Sequence, residues 1–336
     1  MDINNLIQTL QQKWLNPKKP IFFLEPILYN SEKQKIFSSG FQHEDQNGFI
    51  YFGSSAHEDV ETAITKSWYE FYERYILVSK KNNPEKFYNL VNKKKEYTGT
   101  IENTLCFLDS KNSHWRFAIS NGVAAGKNFR NASINAENEL IERDAILRSW
   151  YGQYSPTLLK TTAFHSPASG YKLLSYYEVP SASVKHKVII ACAQKSEENP
   201  LICGFGCATD LNTAKQKALS ECIQRLCFLN EYLDGFSEIP KEMPVNSPEY
   251  HQEFYLTKEG NKRLKQWLDC PRKKVPNLKK NNETRFIILN EDPFVVKAIN
   301  NNYLPLIFGN GYAESSFHEI DIDPSNQAYL ELHPIF

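Results

Sequence analysis

Residues 121–150 read NGVAAGKNFRNASINAENELIERDAILRSW. A glycine-flanked turn, GVAAG at 122–126, leads into a helical pattern that runs from about Asn128 to Trp150. Ala132, Ala136, Leu140, Leu147 and Trp150 form one apolar stripe, and Ile134, Ile141 and Ala145 add a second apolar side. A helix apolar on two sides is expected to be buried. Glu139, Glu142 and Arg143 project within or beside the first stripe. Charge inside a buried helix needs a partner or a ligand, because lone burial is costly. A buried structural ion pair and a functional site meet that need equally well.

The same spacing occurs earlier. A helix is predicted from near Ser55, with Ser55 and Glu58 as a capping box. Val60, Ile64, Trp68, Phe71 and Tyr75 give its apolar stripe, and Glu70, Glu73 and Arg74 repeat E-x-x-E-R on the opposite face. A third helix, from near Asn212 to Leu229, places Lys217, Glu221 and Gln224 on one face. Each of these two faces, taken alone, is also the pattern of a solvated surface. Taken as a set, three such helices converge at least five carboxylates and several cations. Clustered carboxylates suit hard cations such as Mg²⁺, and arginine suits phosphate oxygens. That chemistry fits a nucleoside triphosphate held through metal ions.

Between the helices lie runs rich in β-branched and aromatic residues: FIYFG (49–53), WRFAIS (115–120), KVIIACA (187–193), RFIILN (285–290) and PFVVKAI (293–299). FFLEPILY (22–29) reads as extended. Alternating strands and helices make an α/β or α+β chain, with mixed sheets and long helices. The 336 residues carry 39 basic and 39 acidic side chains, which excludes a uniformly basic nucleic-acid binder. With 41% hydrophobic residues the composition is that of a folded protein. The seven cysteines are dispersed and form no C-x-x-C pair, against a disulfide framework or zinc ribbon. No signal peptide or membrane-spanning stretch is visible, so a soluble cytoplasmic protein is expected. The basic tracts at 92–97 and 271–280 read as solvated loops.

Familiar nucleotide motifs fail. GVAAGKN (122–128) has three residues between its glycines where a P-loop has four, and Asn128 stands where Ser or Thr should be. GFGCAT (204–209) lacks the third glycine of a dinucleotide fingerprint.

SNGVAAG (120–126) followed by ELIERDAILRSW (139–150) resembles the central block of YcaO-domain proteins. SWYEFYERY (67–75) resembles that family's earlier E-x-x-E-R helix, and GFGCATDLNTAKQKALSECIQR (204–225) its later helix. VVKAINNNYLPLIFG (295–309) resembles a segment of the azoline-forming members, and LHPIF (332–336) their proline-containing tail. The likeness runs from about residue 45 to the end. It implies a YcaO-type fold, with long helices converging on a nucleotide site, over 46–336. Residues 1–45 are then an N-terminal arm that contacts a partner.

The resemblance implies an enzyme that uses ATP and Mg²⁺ to phosphorylate the oxygen of a backbone amide after a nucleophile has attacked its carbonyl. A Cys, Ser or Thr side chain gives thiazoline or oxazoline; sulfide would give a thioamide and an amine an amidine. The segment 295–309 favours azolines. By position, Glu70, Glu73, Glu139, Glu142 and Glu221 would hold Mg²⁺ and phosphates, and Arg74 and Arg143 would contact phosphates or orient these carboxylates. Lys217 stands where the family usually has Arg, and Gln224 matches directly. Four positions depart from the pattern. Lys66 replaces a Ser, with Ser67 beside it. Lys127 and Asn131 stand for an Asn and a Glu at the nucleotide. Ser54 replaces a Lys. Pro334 and Phe336 would form the catalytic tail. The implied partners are a precursor peptide, an E1-like or leader-binding protein and a flavin-dependent dehydrogenase, with a homodimer or hetero-oligomer compatible. A competing reading is a degenerate subunit that binds peptide or partner without turnover.

Overall fold

A computed structural model describes residues 3–12, 22–30, 35–45, 48, 50–82, 85–107, 115–163, 170–171, 173–229, 232–241, 243–269, 283–309 and 332–335. In chain order the elements begin α1 (Ile3–Gln12), β1 (Phe22–Asn30), β2 (Lys35–Glu44), β3 (Ile50–His57), α2 (Val60–Asn82), β4 (Phe87–Val91), β5 (Tyr97–Glu102) and α3 (Asn103–Cys106). They continue β6 (Trp115–Phe117), β7 (Val123–Gly126), α4 (Phe129–Trp150), β8 (Thr157–Ala163), β9 (Leu173–Val179), β10 (Lys187–Gln194), β11 (Ile202–Ala208) and α5 (Leu211–Phe228). The last are α6 (Pro248–Tyr255), α7 (Lys258–Asp269), β12 (Arg285–Glu291), β13 (Phe294–Ile299) and β14 (Ile307–Gly309). The sheets run β1-β2-β3, β5-β4-β12-β13-β7, β11-β10-β9-β8 and β14-β6. Every strand pairing among the described residues is antiparallel, so the α+β alternative holds over parallel βαβ units.

The helices sit between these sheets. α2 packs on β2 and β3 on one side and on β7 and β12 on the other. α4 lies between β7 and β13 on one side and the β11-β10-β9-β8 sheet on the other, which explains its two apolar sides. Alternate residues of β10 separate the two layers. Val188 and Ile190 face the α4 core, while Ile189 and Ala191 face the α5 core. The G-x-G of GFGCAT is a packing device. A Cβ at Gly204 would fall 2.2 Å from the Cys222 nitrogen, and one at Gly206 2.4 Å from the Ala214 carbonyl oxygen. These glycines let β11 lie directly against α5.

Several expectations are corrected. Ser55 belongs to β3, whose pairing with β2 continues to His57, so it cannot cap α2. Asp59 does so instead, accepting from the Thr62 amide at 2.8 Å. The division at residue 45 cuts through a sheet, because β2 and β3 pair from Phe37↔His57 to Glu44↔Ile50. Residues 22–44 therefore supply two strands of the layer under α2. The tract at 92–97 is the β4–β5 turn, with Lys95 at φ 65°. The solvated reading of this tract holds: Lys93, Lys94 and Lys95 are exposed, with Lys93 paired to Glu137 at 2.6 Å and Lys95 to Glu291 at 2.8 Å. The tract at 271–280 lies outside the described residues. The six described cysteines are buried and free. No described helix is long and apolar enough to cross a membrane.

Candidate active site

α4 starts cleanly because the Asn128 side chain accepts from the Asn131 amide. About three to four turns later it presents Glu139, Glu142 and Arg143. α2 presents Glu70, Glu73 and Arg74, and α5 presents Lys217, Glu221 and Gln224. The structure brings these together. Glu73 faces Glu139 and Glu70, Glu70 faces Glu221, and Glu142 faces Glu221 and Glu139.

Backbone donors pin the carboxylates. The Ala125 amide donates to Glu73 Oε2 at 3.1 Å, the Phe205 amide donates to Glu221 Oε2 at 3.0 Å, and the Gly122 amide donates to Glu139. The SNGVAAG turn thus serves α2 and α4 at once. Gly122, at φ 69°, takes a conformation that favours glycine. Gln224 Nε2 donates to the Ser54 carbonyl at 2.9 Å and hydrogen-bonds the Glu70 side chain.

Each carboxylate helix brings an arginine. Arg74 lies 2.7 Å from Glu70 and also donates to the Phe52 carbonyl. Arg143 lies 2.6 Å from Glu139, and Arg225 2.7 Å from Glu221. Lys217 Nζ reaches Asn135 Oδ1 at 3.5 Å and faces Glu142. Lys66 faces Lys217, and burial and that neighbour both lower its pKa.

The carboxylates are crowded in a recess, and the pKa values of four of them are raised above the ordinary carboxylate range. Burial is the first cause for Glu70, Glu73, Glu139 and Glu142. Neighbouring carboxylates add to it, while Arg74, Arg143 and Lys297 oppose it. Glu142 is pushed up to about 8. Such a cluster is stabilised when a cation takes the place of its protons.

Lys297, from β13, was missed by sequence reasoning. It is buried and donates to the Ile119 and Asn121 carbonyls at 3.1 and 2.9 Å, with burial lowering its pKa to about 8. A lone lysine within VVKAI was the available signal. Arg225 was missed too, although it stands four residues after Glu221.

Other expected residues are placed differently. Ser67 is fully buried; its hydroxyl donates to the Ile64 carbonyl and lies 3.2 Å from Ser39 Oγ, towards the β2 core and away from the carboxylates. Lys127 and Asn131 are exposed at the start of α4, and Asn131 lies roughly 12 Å along the axis from Glu139. They do not join the cluster. Pro334 is buried beside Arg225 and Tyr255. His333 is buried, its Nε2 2.9 Å from the Ile307 carbonyl oxygen, and Tyr255 donates to the Leu332 carbonyl. The tail is therefore anchored in the core as well as near Arg225, and its role extends to folding. Phe336 lies outside the described residues.

The donor set can be tested against Mg²⁺ and a triphosphate. Among the described residues no three acidic, histidine or cysteine groups stand together as a ready cage for one ion. Mg²⁺ does not require one: it is commonly held by one or two carboxylates, with phosphate oxygens and water completing the octahedron. Glu139 Oε1 and Arg143 Nη1 are buried and in ion contact, yet lack a hydrogen bond of good geometry among the described residues. Both retain capacity for a ligand, so the residues fit.

The family model described as YcaO cyclodehydratase, ATP- and Mg²⁺-binding, matches residues 85–291. No curated protein sequence matches the chain. Among solved structures, YcaO from Methanopyrus kandleri bound with AMPPCP and Mg²⁺ superposes with a TM-score of 0.63 at 16% identity, covering 89% of this chain and 90% of that one. A heterocyclase in complex with substrate and cofactor gives 0.58 at 15%, covering 90% of this chain but 52% of its own. The E. coli microcin synthetase McbBCD complex with pro-MccB17 bound gives 0.55 at 12%, covering 93% and 100%. At these identities the likeness is one of fold.

Proposed function

The chain belongs to the YcaO cyclodehydratase family, which binds ATP and Mg²⁺, and from that premise we propose that it activates backbone amides of a ribosomally made precursor peptide and closes them into thiazoline or oxazoline rings. The observation that carries this reading is the meeting of Glu70, Glu73, Glu139, Glu142 and Glu221 from three helices, with an arginine paired on each. ATP with Mg²⁺ supplies the phosphoryl group that turns the amide oxygen into a leaving group. The protein's part is positioning and charge. The carboxylates hold cations, Arg143 and Lys217 face phosphate oxygens, and Gln224 orients Glu70. A Cys, Ser or Thr side chain of the peptide attacks the preceding carbonyl, and its oxygen leaves as phosphate.

The McbBCD relatives are complexes, one of them with a pro-peptide. They support a precursor peptide and a partner protein here; that the partner is E1-like or leader-binding, and that a flavin-dependent dehydrogenase follows, is what the family resemblance adds. Cytoplasmic location accords with ATP use. A second reading, binding without turnover, draws on Ser67 turning into the core and on Lys66 standing beside Lys217.

The deciding experiment supplies ATP, Mg²⁺, candidate Cys- or Ser-containing precursors and partner to the purified protein. Loss of one water per modified residue, matched by ADP and phosphate, supports azoline formation. Exchange of oxygen for sulfur would assign thioamidation instead. Tight ATP binding with no product and no ADP would support the binding-only reading.

A further inference from the structure

A cavity of about 230 Å³ adjoins Lys297, walled mostly by apolar side chains such as Phe117, Leu140, Ile299 and Leu306. Of its polar groups Asn300 is already bonded to Thr284 and Asn302, and Asn301 is exposed, which leaves Asn121 and Lys297. It adjoins the site through the chain itself. Leu140 follows Glu139, and Asn121 precedes the Gly122 amide that holds Glu139. Its volume falls below the ~300–1,000 Å³ of sites that take a whole small molecule. It suits a single residue of a longer chain.

The polar groups define what that residue presents. An ammonium has three donors. Lys297 spends two on the Ile119 and Asn121 carbonyls, and no described residue takes the third. Asn121 Oδ1 is buried and has no hydrogen-bond partner among the described residues. Buried polar atoms are seldom left so, because each forfeits solvation without return. One spare donor and one spare acceptor on an apolar wall match a peptide amide. Its carbonyl accepts from Lys297 and its N–H donates to Asn121. The largely apolar lining and the Lys297 ammonium together oppose a basic side chain.

We infer that this cavity is a specificity pocket that seats one apolar residue of the peptide substrate, its backbone amide held between Lys297 and Asn121. The inference rests on the peptide reading of the site. It adds a sequence preference: a Leu- or Ile-sized residue beside the position modified. It also makes Lys297 and Asn121 binding residues for peptide as distinct from nucleotide.

The test uses saturation-transfer NMR with N-acetyl-leucine N-methylamide as probe and N-acetyl-lysine N-methylamide as control. The leucine probe should bind at least ~10-fold more tightly, since the lysine would bury a charge. Asn121→Leu and Lys297→Met should each weaken the leucine probe about 10-fold, the value of one well-placed hydrogen bond. Equal affinity for the two probes, or unchanged affinity in a variant that melts normally, overturns the pocket. Leu105 lines the mouth of the cavity and is 60% exposed, so Leu105→Trp should fold whatever happens to the other two variants. Its fluorescence should shift when the leucine probe binds; binding without a shift places the probe elsewhere and overturns the proposal. Calorimetry with ATP and Mg²⁺ separates the two levels. Protein that binds ATP but not the leucine probe refutes the pocket alone. Protein that binds the probe but not ATP keeps the pocket and removes the phosphoryl-transfer reading.

Discussion

Two acid–arginine pairs stand one turn apart on α4, both at i,i+4, and they are built for different ends. Asp144 is almost fully buried, and its Oδ1 accepts from Arg148 Nε and from the Leu304 amide, each at 2.8 Å. Arg148 also donates to Gln153 and to the Asn302 carbonyl. That pair clips α4 to the segment before β14 through Asp144 Oδ1 and the Arg148 guanidinium, while Asp144 Oδ2 is buried without a hydrogen-bond partner among the described residues. Glu139 and Arg143 touch at 2.6 Å but spend little on each other, and they face Glu73, Glu221 and Lys297. The same spacing gives a fastener in one case and an open valence in the other. What separates them is the arginine's partners and the surroundings. Arg148 donates to Asp144, Gln153 and the Asn302 carbonyl, whereas Arg143 Nη1 has no hydrogen bond of good geometry among the described residues and its pair faces other carboxylates, a difference that spacing alone does not encode.

The comparison breaks most sharply under substitution. Glu139→Gln and Glu142→Gln should abolish turnover, by about 1,000-fold or more in steady-state ADP release, because Gln keeps volume but removes the charge a metal needs. Their melting temperatures should not fall below that of the unaltered protein. Arg148→Met should do the reverse. It strands the buried Asp144, and a loss of about 3–5 kcal/mol is expected by denaturant titration, with activity per folded molecule preserved. If Glu139→Gln instead unfolds the protein, and Arg148→Met leaves it stable but inactive, the two assignments must be exchanged.

How far this was legible follows the same line. Bounds of α4 and α5 were readable because Asn128 and Asp210 are strong caps at their starts. The start of α2 was not, because a Ser-x-x-Glu spacing is blind to a strand that keeps pairing through His57. Strands were visible as apolar runs, but their partners were not, so the β2–β3 pairing hid behind a division at residue 45. Ser67 failed for an angular reason: one residue turns a helix by about 100°, which carries the side chain from the site's edge, where Lys66 lies, into the core. Four of the five carboxylates were legible because E-x-x-E-R recurs, and Glu221 because it shares a helix face with Lys217 and Gln224. Lys297 and Asn121 were not, because each acts from a different segment and only the fold puts them together.

A middle-sized effect concerns the tail, the region furthest in sequence from α4 yet packed near its arginine. His333 bonds the Ile307 carbonyl and stacks near His251 and Phe308. His333→Ala should cost about 2–3 kcal/mol, from a lost hydrogen bond plus a cavity. Deleting 333–336 should cost more and also slow turnover. A deletion that melts normally would show that the anchoring carries no stability.

The smallest expected effect sharpens the contrast through pH. Two groups of residues, the buried histidines and the half-buried Glu142, tilt stability in opposite directions. His251 and His333 are held neutral, chiefly by burial, with His251 lowered to about 4. Between about pH 4 and 6.5 the unfolded chain binds protons that the native state refuses, so stability rises with pH across that window. Glu142 shifts the other way, from 4.5 up to about 8. Between those values the native state keeps a proton that the unfolded chain releases, so stability without ligand falls as pH rises. Apo-protein stability should therefore peak near neutrality on the acid side, with a descending limb owed to the carboxylates. Each unit of pKa difference is worth about 1.4 kcal/mol, but Glu142 shares its field with Glu139 and Glu221, and its elevation is not its alone. Glu142→Gln should accordingly recover about 1–2 kcal/mol near pH 8 while leaving the acid limb in place. Adding Mg²⁺ with ATP should flatten the same limb in the unaltered protein, because bound cations do what the protons did. A descending limb that persists in Glu142→Gln would mean that the carboxylates already satisfy one another as Asp144 and Arg148 do, and the distinction between the two pairs would fail.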